Sequence, residues 1–429
     1  MEAKELYSYF LKSTGVVTDS RQIEEGTLFI CLRGDHFNGN KFAAEALEKG
    51  ASYVVVDDVE YLKEDEHYFL VEDCLKSLQA LAHHHRMQFS IPVIGLTGSN
   101  GKTTTKELIN SVLSQQFNTT ATLGNFNNHI GVPLTLLNIN SNTAIALIEI
   151  GANHVKEIEL LAEIAVPTHG YITNFGKAHL EGFGSLEGVV LGKSELYQFL
   201  AKNNGICLIN LADPKQVSGT QNQETFSFGT SSKAAVTIQN IDRGVDENIA
   251  ILIEETEIIS QLKGSYNFTN IAAAVAFGSY FKIPPEKIKN GIEAYNPTNN
   301  RSQWHTTRSN TLVLDAYNAN PSSMKVALES FFSSKKEDQV LILGDMLELG
   351  SFADKEHQKI VDLIETKNIE KVLLVGPEFN KTKTSTSGFK KFDSATSVIP
   401  YLQKKNFQNK TILIKGSRGI ALEVLKDYL

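Results

Sequence analysis

The chain has 429 residues, of which 41% are hydrophobic and 21% charged, and its formal net charge is −8. That length exceeds one ordinary core and suits two or three domains, while the charge and hydrophobic content are those of a globular protein rather than a disordered one. The acidic balance, with no block of five or six basic residues, argues against a nucleic-acid binder.

Taken in order, the start "MEAKELYSYF" shows no basic region followed by an apolar run, so no secretory leader is expected. The run "SYVVVDD" (52–58) reads as a buried strand, and "HHHR" (83–86) as the polar side of a helix that ends a first domain. "RMQFSIP" (86–92) then separates that unit from "IPVIGLTG" (91–98). After Lys102, the residues Leu108, Ile109, Val112, Leu113 and Phe117 recur at helical spacing. Further apolar runs follow: "AIALIEIG" (144–151), "HGYITNFG" (169–176) and "GICLINLAD" (205–213). "AYNPTNNRSQ" (294–303) is a Pro/Asn-rich break. Beyond it come "TLVLDAY" (311–317), "QVLILGD" (339–345), "KVLLVG" (371–376) and "TILIKG" (411–416). These runs are continuous rather than alternating, rich in β-branched residues, and most end in Gly, Asp or Asn. They predict strands buried on both faces of mostly parallel sheets, alternating with helices in α/β layers. Three domains are expected, at about 1–88, 89–297 and 298–429. No stretch approaches the roughly 18 apolar residues of a membrane span. Cys31, Cys74 and Cys207 are scattered without C-x-x-C spacing, which fits a reducing compartment. A soluble, cytoplasmic, monomeric protein with no nucleic-acid or membrane partner is the expectation.

"GLTGSNGKTTTKEL" (95–108) has the strand, glycine turn and helix that a phosphate loop requires. Glycines let the backbone approach phosphates, and the first N–H groups of the helix face the anion. Lys102 would reach the terminal phosphates and Thr103 would offer a hydroxyl to Mg²⁺. The spacing is not that of the ordinary motif, whose first glycine falls at Leu96 here. The plain alternative is a tight turn with Lys102 in solvent. Glu149 and His179 fall at the ends of the next strands, where open parallel sheets bind ligands. They read either as ligands of a divalent metal or as an ion-paired carboxylate and an ordinary loop histidine; imidazole is unusual for Mg²⁺. "GFGSLEG" (182–188) follows no strand and is not read as a dinucleotide fingerprint. The loop alone fits kinases, NTPases and ligases.

In order along the chain, "TDSRQIEEGTLFICLRGDHFNGNKFAAEALEKGA", "GLTGSNGKTTTKEL", "GNFNNHIGVPLTLL", "EIGANH", "AHLEGFGSLEGV", "GKSELY", "GSYNFTNIAAAVA", "DAYNANPSSM", "LGDMLELG" and "KGSRG" resemble the ATP-dependent Mur ligases of peptidoglycan synthesis. "DAYNANPSSM" and "LGDMLELG" favour the branch that adds D-alanyl-D-alanine. In that family the loop reads T-G-x-N-G-K-T-T, so Leu96 is expected.

The resemblance implies a three-domain architecture: a central P-loop ATPase-like domain, a small N-terminal α/β domain for the UDP-sugar, and a Rossmann-like C-terminal domain that closes over ATP. It implies that Gly98, Ser99, Asn100, Gly101, Lys102, Thr103 and Thr104 hold the ATP phosphates. Glu149 and His179 match magnesium ligands. Lys193 matches a lysine that carries a carbamate, giving an oxygen ligand for a second Mg²⁺. Asn267 and Asn270 match positions near adenine and ribose, and Arg301 and Asp315 match residues that close onto ATP. Asn127 and Asn128 match the substrate-facing loop, and Ser20 and Arg21 the uridine side. Lys415, Ser417 and Arg418 would face the incoming dipeptide or an acyl phosphate. The implied substrates are ATP, UDP-N-acetylmuramoyl-tripeptide and D-alanyl-D-alanine, with Lys102, Lys193 and His179 as catalytic residues. Two positions depart from the pattern. Tyr266 stands where the family often has histidine, and Asn300 where Pro-Gly-Arg has glycine; asparagine tolerates a left-handed backbone, so that turn can survive. The other readings are a ligase for a different amino acid, a folate polyglutamylating relative, a P-loop NTPase switch, or a catalytically dead relative.

Overall fold

The computed structural model describes every residue except 1, 245–246, 298–300, 335–337, 368 and 370. Asn300 therefore lies outside the described residues.

Three large sheets follow one another along the chain, with a two-stranded ribbon of Arg33–Gly34 and Phe37–Asn38 beside the first. The first is wholly parallel and takes its strands in sequence order: Val16–Val17, Leu28–Ile30, Tyr53–Val56 and Tyr68–Leu70. The second has nine strands. Its parallel part runs Thr119–Ala121, Ile145–Glu149, Val93–Thr97, His169–Ile172, Ile206–Asn210, Thr225–Gly229 and Val236–Ile241. Ala250–Ile253 and Thr256–Ile259 extend it antiparallel. The third has six strands: Gln303–Thr306 lies antiparallel on Thr311–Asp315, and Thr411–Lys415, Gln339–Gly344, Lys371–Val375 and Phe389–Phe392 continue in parallel. Every apolar run singled out in the sequence is a strand.

The central sheet shows why those runs are continuous. Ile94, Leu96, Leu147 and Tyr171 pack on one side with Leu108, Ile109 and Val112 of the helix Lys102–Leu113 and Val275 of the helix Asn267–Tyr280. Val93, Ile148 and Ile172 pack on the other side with Ile158, Leu161, Leu196 and Leu200. Neighbouring residues of one strand thus fill two different cores, so neither face can be polar. Val93–Thr97 lies between Ile145–Glu149 and His169–Ile172, and the chain leaves it in opposite directions along the sheet. Ligands bind at such a switch point, beyond the carboxyl ends of the strands.

The segment "HHHR" corrects the sequence reading. It does end the helix Cys74–Arg86, but His85 and Arg86 are buried. Nε2 of His85 lies 2.7 Å from Ile139 O, and the Arg86 guanidinium donates to Ala165 O and Val166 O, each at 3.1 Å. Those two carbonyls end the helix Glu157–Ala165, and Val166 is left-handed with φ +43°. A cation from the first unit therefore caps a helix of the second, where the dipole favours it. A run of polar residues gave no sign of this, because the partners are backbone groups.

Candidate active site

The loop after Val93–Thr97 is fixed by two glycines. At Gly98 (φ +139°) a Cβ would run into the Thr173 side chain, and at Gly101 (φ +78°) it would meet Asn270 Oδ1 at 2.7 Å. Leu96 is buried inside the strand, so the loop begins later than in the ordinary motif. Ser99 N donates to Asn174 O (3.0 Å) and Asn100 N to Asn174 Oδ1 (3.2 Å). The N–H groups left for an anion are those of the first helical turn after Gly101, which have no carbonyl partner within the helix. Lys102 Nζ donates to Gly98 O at 2.8 Å. Burial lowers the Lys102 pKa, Glu149 opposes this, and the charge of Arg301 lowers it further. Two cations from distant parts of the chain therefore share one space, an arrangement suited to a polyanion.

Glu149, at the end of its strand, is 1% exposed. Its Oε1 accepts from Thr103 Oγ1 (3.2 Å) and Asn127 Nδ2 (2.8 Å). Its Oε2 lies 3.6 Å from Lys106 Nζ but has no hydrogen-bond partner among the described residues. His179 is left-handed (φ +52°), and its Nδ1 lies 2.5 Å from Glu348 Oε2 without the alignment of a hydrogen bond. The His179 contact, with help from Lys102, holds the Glu348 carboxyl below its usual range despite burial. Among the described residues, no three His, Cys, Asp or Glu side chains converge as a ready metal cluster. A buried carboxylate oxygen with spare acceptor capacity beside a hydroxyl does suit Mg²⁺, which takes oxygen ligands and keeps waters or phosphate oxygens for the rest.

Lys193 is fully buried in the helix Leu186–Lys202, with Nζ 3.2 Å from Ala152 O and 5.0 Å from the centre of the Phe183 ring. Burial, and then the charge of Lys102, hold its pKa well below the usual lysine value.

The C-terminal unit closes the other side. Asp315 Oδ2 pairs with Lys415 Nζ at 2.5 Å. The Arg301 guanidinium stacks 3.6 Å from the centre of the Tyr317 ring, and Arg418 lies 5.5 Å from the same ring. Asn320 Nδ2 donates to Asn100 Oδ1 (2.7 Å), and Lys177 N donates to Ser322 Oγ (2.7 Å). Asn270 accepts from Thr105 Oγ1 (3.0 Å) and donates to Asn267 Oδ1 (2.8 Å).

One cavity of about 1160 Å³ gathers most of these groups. It is lined by Ser99 to Thr104, Asn127, Asn128, Glu149, His179, Asn267, Asn270, Arg301, Asp315 and Lys415. Asp73, Lys76 and Gln79 of the first unit also line it. Gly98, Lys193, Ser417, Arg418, Ser20 and Arg21 are not among its lining residues. Ser417 is buried, accepting from Leu347 N (2.9 Å) and donating to Ala319 O (3.2 Å), so it braces the site from behind. Arg21 is exposed and pairs with Asp19, whose carboxyl it holds at about 2. Glu348, Tyr317 and Lys106 were not singled out by sequence reasoning. The first two sit inside "LGDMLELG" and "DAYNANPSSM", and that motif membership is the signal that could have found them.

Three family models match in succession: "Mur ligase family, catalytic domain" at residues 12–86, "Mur ligase middle domain" at 96–278, and "Mur ligase, glutamate ligase domain" at 300–418. The UDP-N-acetylmuramoyl-tripeptide–D-alanyl-D-alanine ligase of Bacillus subtilis (strain 168) is 36% identical, covering 97% of this chain and 93% of its own. The chain belongs to the Mur ligase family. The ligase of the same name from Escherichia coli (strain K12) is 33% identical over 95% of this chain and 92% of its own. A crystal structure of MurF from Acinetobacter baumannii superposes with a TM-score of 0.88 at 28% identity, covering 99% of this chain and 98% of that one. The Mur ligase architecture of three domains, with mostly parallel sheets, is thus the architecture of this chain. Among its described residues no helix is long and apolar enough to cross a membrane.

Proposed function

We propose that the chain is an ATP-dependent ligase that joins D-alanyl-D-alanine to UDP-N-acetylmuramoyl-tripeptide, giving UDP-N-acetylmuramoyl-pentapeptide, ADP and phosphate in cytoplasmic peptidoglycan precursor synthesis. The observation that carries it is the single cavity walled by the phosphate loop, by the helix Cys74–Arg86 of the first unit, and by Arg301, Asp315 and Lys415 of the last. Relatives that match over nearly the whole length bear the name of this reaction. We divide the labour as residues 1–88 for the UDP-sugar, 89–297 for ATP, and 298–429 for closure and the dipeptide.

In this reading a carboxylate oxygen of the tripeptide attacks the γ-phosphorus, the bond to the bridging oxygen breaks, and ADP leaves. The dipeptide amine then attacks the acyl carbon of the acyl phosphate, loses a proton, and phosphate departs. Phosphoryl transfer asks mainly for positioning and charge neutralisation. Lys102 and Arg301 supply positive charge at the phosphates, and the first helical turn supplies N–H donors. Asp315 faces the ribose, and Asn267 and Asn270 the adenine side. Lys415 and Arg418 face the dipeptide or the acyl phosphate. Asn127 and Asn128 hold the tripeptide, and Ser20 and Arg21 the uridine. Glu149 and Thr103 fit a magnesium ion, to which we also assign His179, and a carbamylated Lys193 is the residue we assign to a second. Bound there, Mg²⁺ would neutralise charge on the phosphates. Burial, and then the charge of Lys102, lower the Lys193 pKa, which favours the free-base amine that adds CO₂. Closure of three units around the cavity keeps water from the acyl phosphate.

The test is phosphate release from ATP with UDP-N-acetylmuramoyl-tripeptide, with and without D-alanyl-D-alanine. Release that needs both substrates and yields a pentapeptide by mass is the expected result. Release without either would replace the ligase with an NTPase switch. Bound nucleotide with no release would send the search to other amino acids.

A further inference from the structure

We propose that Tyr266 is a positioning residue of the nucleotide site: its phenol fixes Ser302 in a left-handed backbone conformation and thereby aims Arg301 into the cavity. This rests on the reading of Arg301 as a nucleotide-facing residue.

Tyr266 belongs to the central unit and directly precedes the helix Asn267–Tyr280. Its hydroxyl crosses the seam between units and donates to Ser302 Oγ at 2.8 Å. The ring lies against the backbone of Gly264 (φ +82°), where a Cβ would approach the ring to 2.5 Å. The phenol therefore has a bed that only glycine leaves open, and its direction is set. Burial, reinforced by the negative charge of Asp315, pushes the phenol above its ordinary value, so the hydroxyl remains a donor.

Ser302 needs such a hold. Its φ is +49°, a conformation that side-chain-bearing residues rarely adopt. Two contacts keep it there: the Tyr266 hydroxyl on its Oγ, and its own N–H donating to Asp315 Oδ1 at 3.3 Å. The next residue back is Arg301. Its guanidinium is clamped on the Tyr317 ring, and its Nε is buried with no hydrogen-bond partner among the described residues. A buried, unanswered donor in the cavity that holds the phosphate loop is placed for an anionic acceptor. Its charge already reaches Lys102. The aim of Arg301 therefore depends on the backbone of its neighbour, and that backbone on a tyrosine from another unit. Histidine, the residue the family often has at this place, ends well short of the phenolic oxygen.

The test uses the full-length enzyme and its phosphate-release assay, reading the KM for ATP, the KM for UDP-N-acetylmuramoyl-tripeptide, kcat and Tm. Tyr266→Phe deletes only the hydroxyl, and Ser302→Ala deletes only its acceptor while keeping the strained φ. Each is expected to raise the ATP KM about fivefold, the equivalent of one hydrogen bond, with the other KM unmoved. Ser302→Gly, which adopts the conformation unaided, should raise it less than Ser302→Ala. Added to Tyr266→Phe, it should restore affinity for ATP rather than compound the loss. Arg301→Ala separates the two layers of the reading. If R301A is impaired but Y266F binds ATP normally, the inference is overturned alone. If R301A itself leaves the ATP KM unaltered, both fall. A glycine at 302 that rescues nothing, with Tm lowered alike in all variants, would show a merely structural contact and overturn the proposal. Should Y266F fail to fold, the alanine–glycine pair at 302 decides the matter by the same difference in ATP KM.

Discussion

Lys102 rests with its ammonium on Gly98 O, a carbonyl of its own loop, in a space that disfavours its charge. Replacing it with methionine should lower kcat by about 10²–10³-fold, as loss of one charge-stabilising group does, and leave Tm unchanged or slightly higher. A K102M enzyme with near-normal turnover would remove the phosphate assignment. Arg21 is its opposite in setting: exposed, outside the cavity lining, and spent on Asp19. If it serves the uridine end, Arg21→Ala should raise the KM for the UDP precursor about tenfold while the ATP KM stays put. The motif that carries Arg21 leads to no lining residue, whereas Lys102 was legible in the sequence because its motif set it at the head of a helix on the cavity. His85 and Arg86 were not, since a buried cation answered by carbonyls has the same letters as an exposed one.

The strand, loop and helix from Val93 to Leu113 form the element on which the chemistry depends. Gly101→Ala must place a side chain at φ +78° and against Asn270. That should cost about 1–2 kcal/mol of stability and weaken nucleotide binding at least tenfold, measured by chemical denaturation and by titration calorimetry. The parallel strands could be read because burial on both faces writes a continuous apolar word. Val236–Ile241, Ala250–Ile253 and Thr256–Ile259 could not, because "VTIQNI" is interrupted by polar residues and the next two strands are short. Phe117 continues the helical spacing in the sequence, yet the helix stops at Leu113. Periodicity registers which side is apolar, and an apolar residue in the following turn can serve the same core.

At the scale of the molecule, the last unit is fastened to the middle one by polar contacts that no motif announces. Lys177 Nζ lies 3.0 Å from Glu356 Oε1, and Lys359 lies 2.7 Å from the same oxygen. Burial would raise the Glu356 pKa, but Lys359 and Lys177 outweigh it and hold it below its ordinary 4.5. Because the folded value is the lower one, the stabilisation is present above 4.5 and fades as pH falls through the folded value. Glu356→Gln should therefore lower stability by about 1 kcal/mol at neutral pH, and the difference from wild type should shrink in strong acid. A gap that persists at low pH would mean the carboxylate charge is not what matters. Which residues would meet across the seam was hidden from the sequence: Glu348 reaches His179 and Asn320 reaches Asn100 only once the units have folded against one another.

The shared cavity has a consequence for how the protein melts. All three units contribute to the wall, so a ligand seated there acts as a keystone. Heated without ligand, the units can show separate calorimetric transitions because each carries its own sheet, although one apolar core joins Leu81 to Leu136 and continues to Met346 across the seams. Saturated at 100 times its dissociation constant, a non-hydrolysable ATP analogue adds about 2.7 kcal/mol, and only to the docked state. Its thermal signature should then be a merging of endotherms toward a single cooperative one, rather than an upward shift of the middle domain alone.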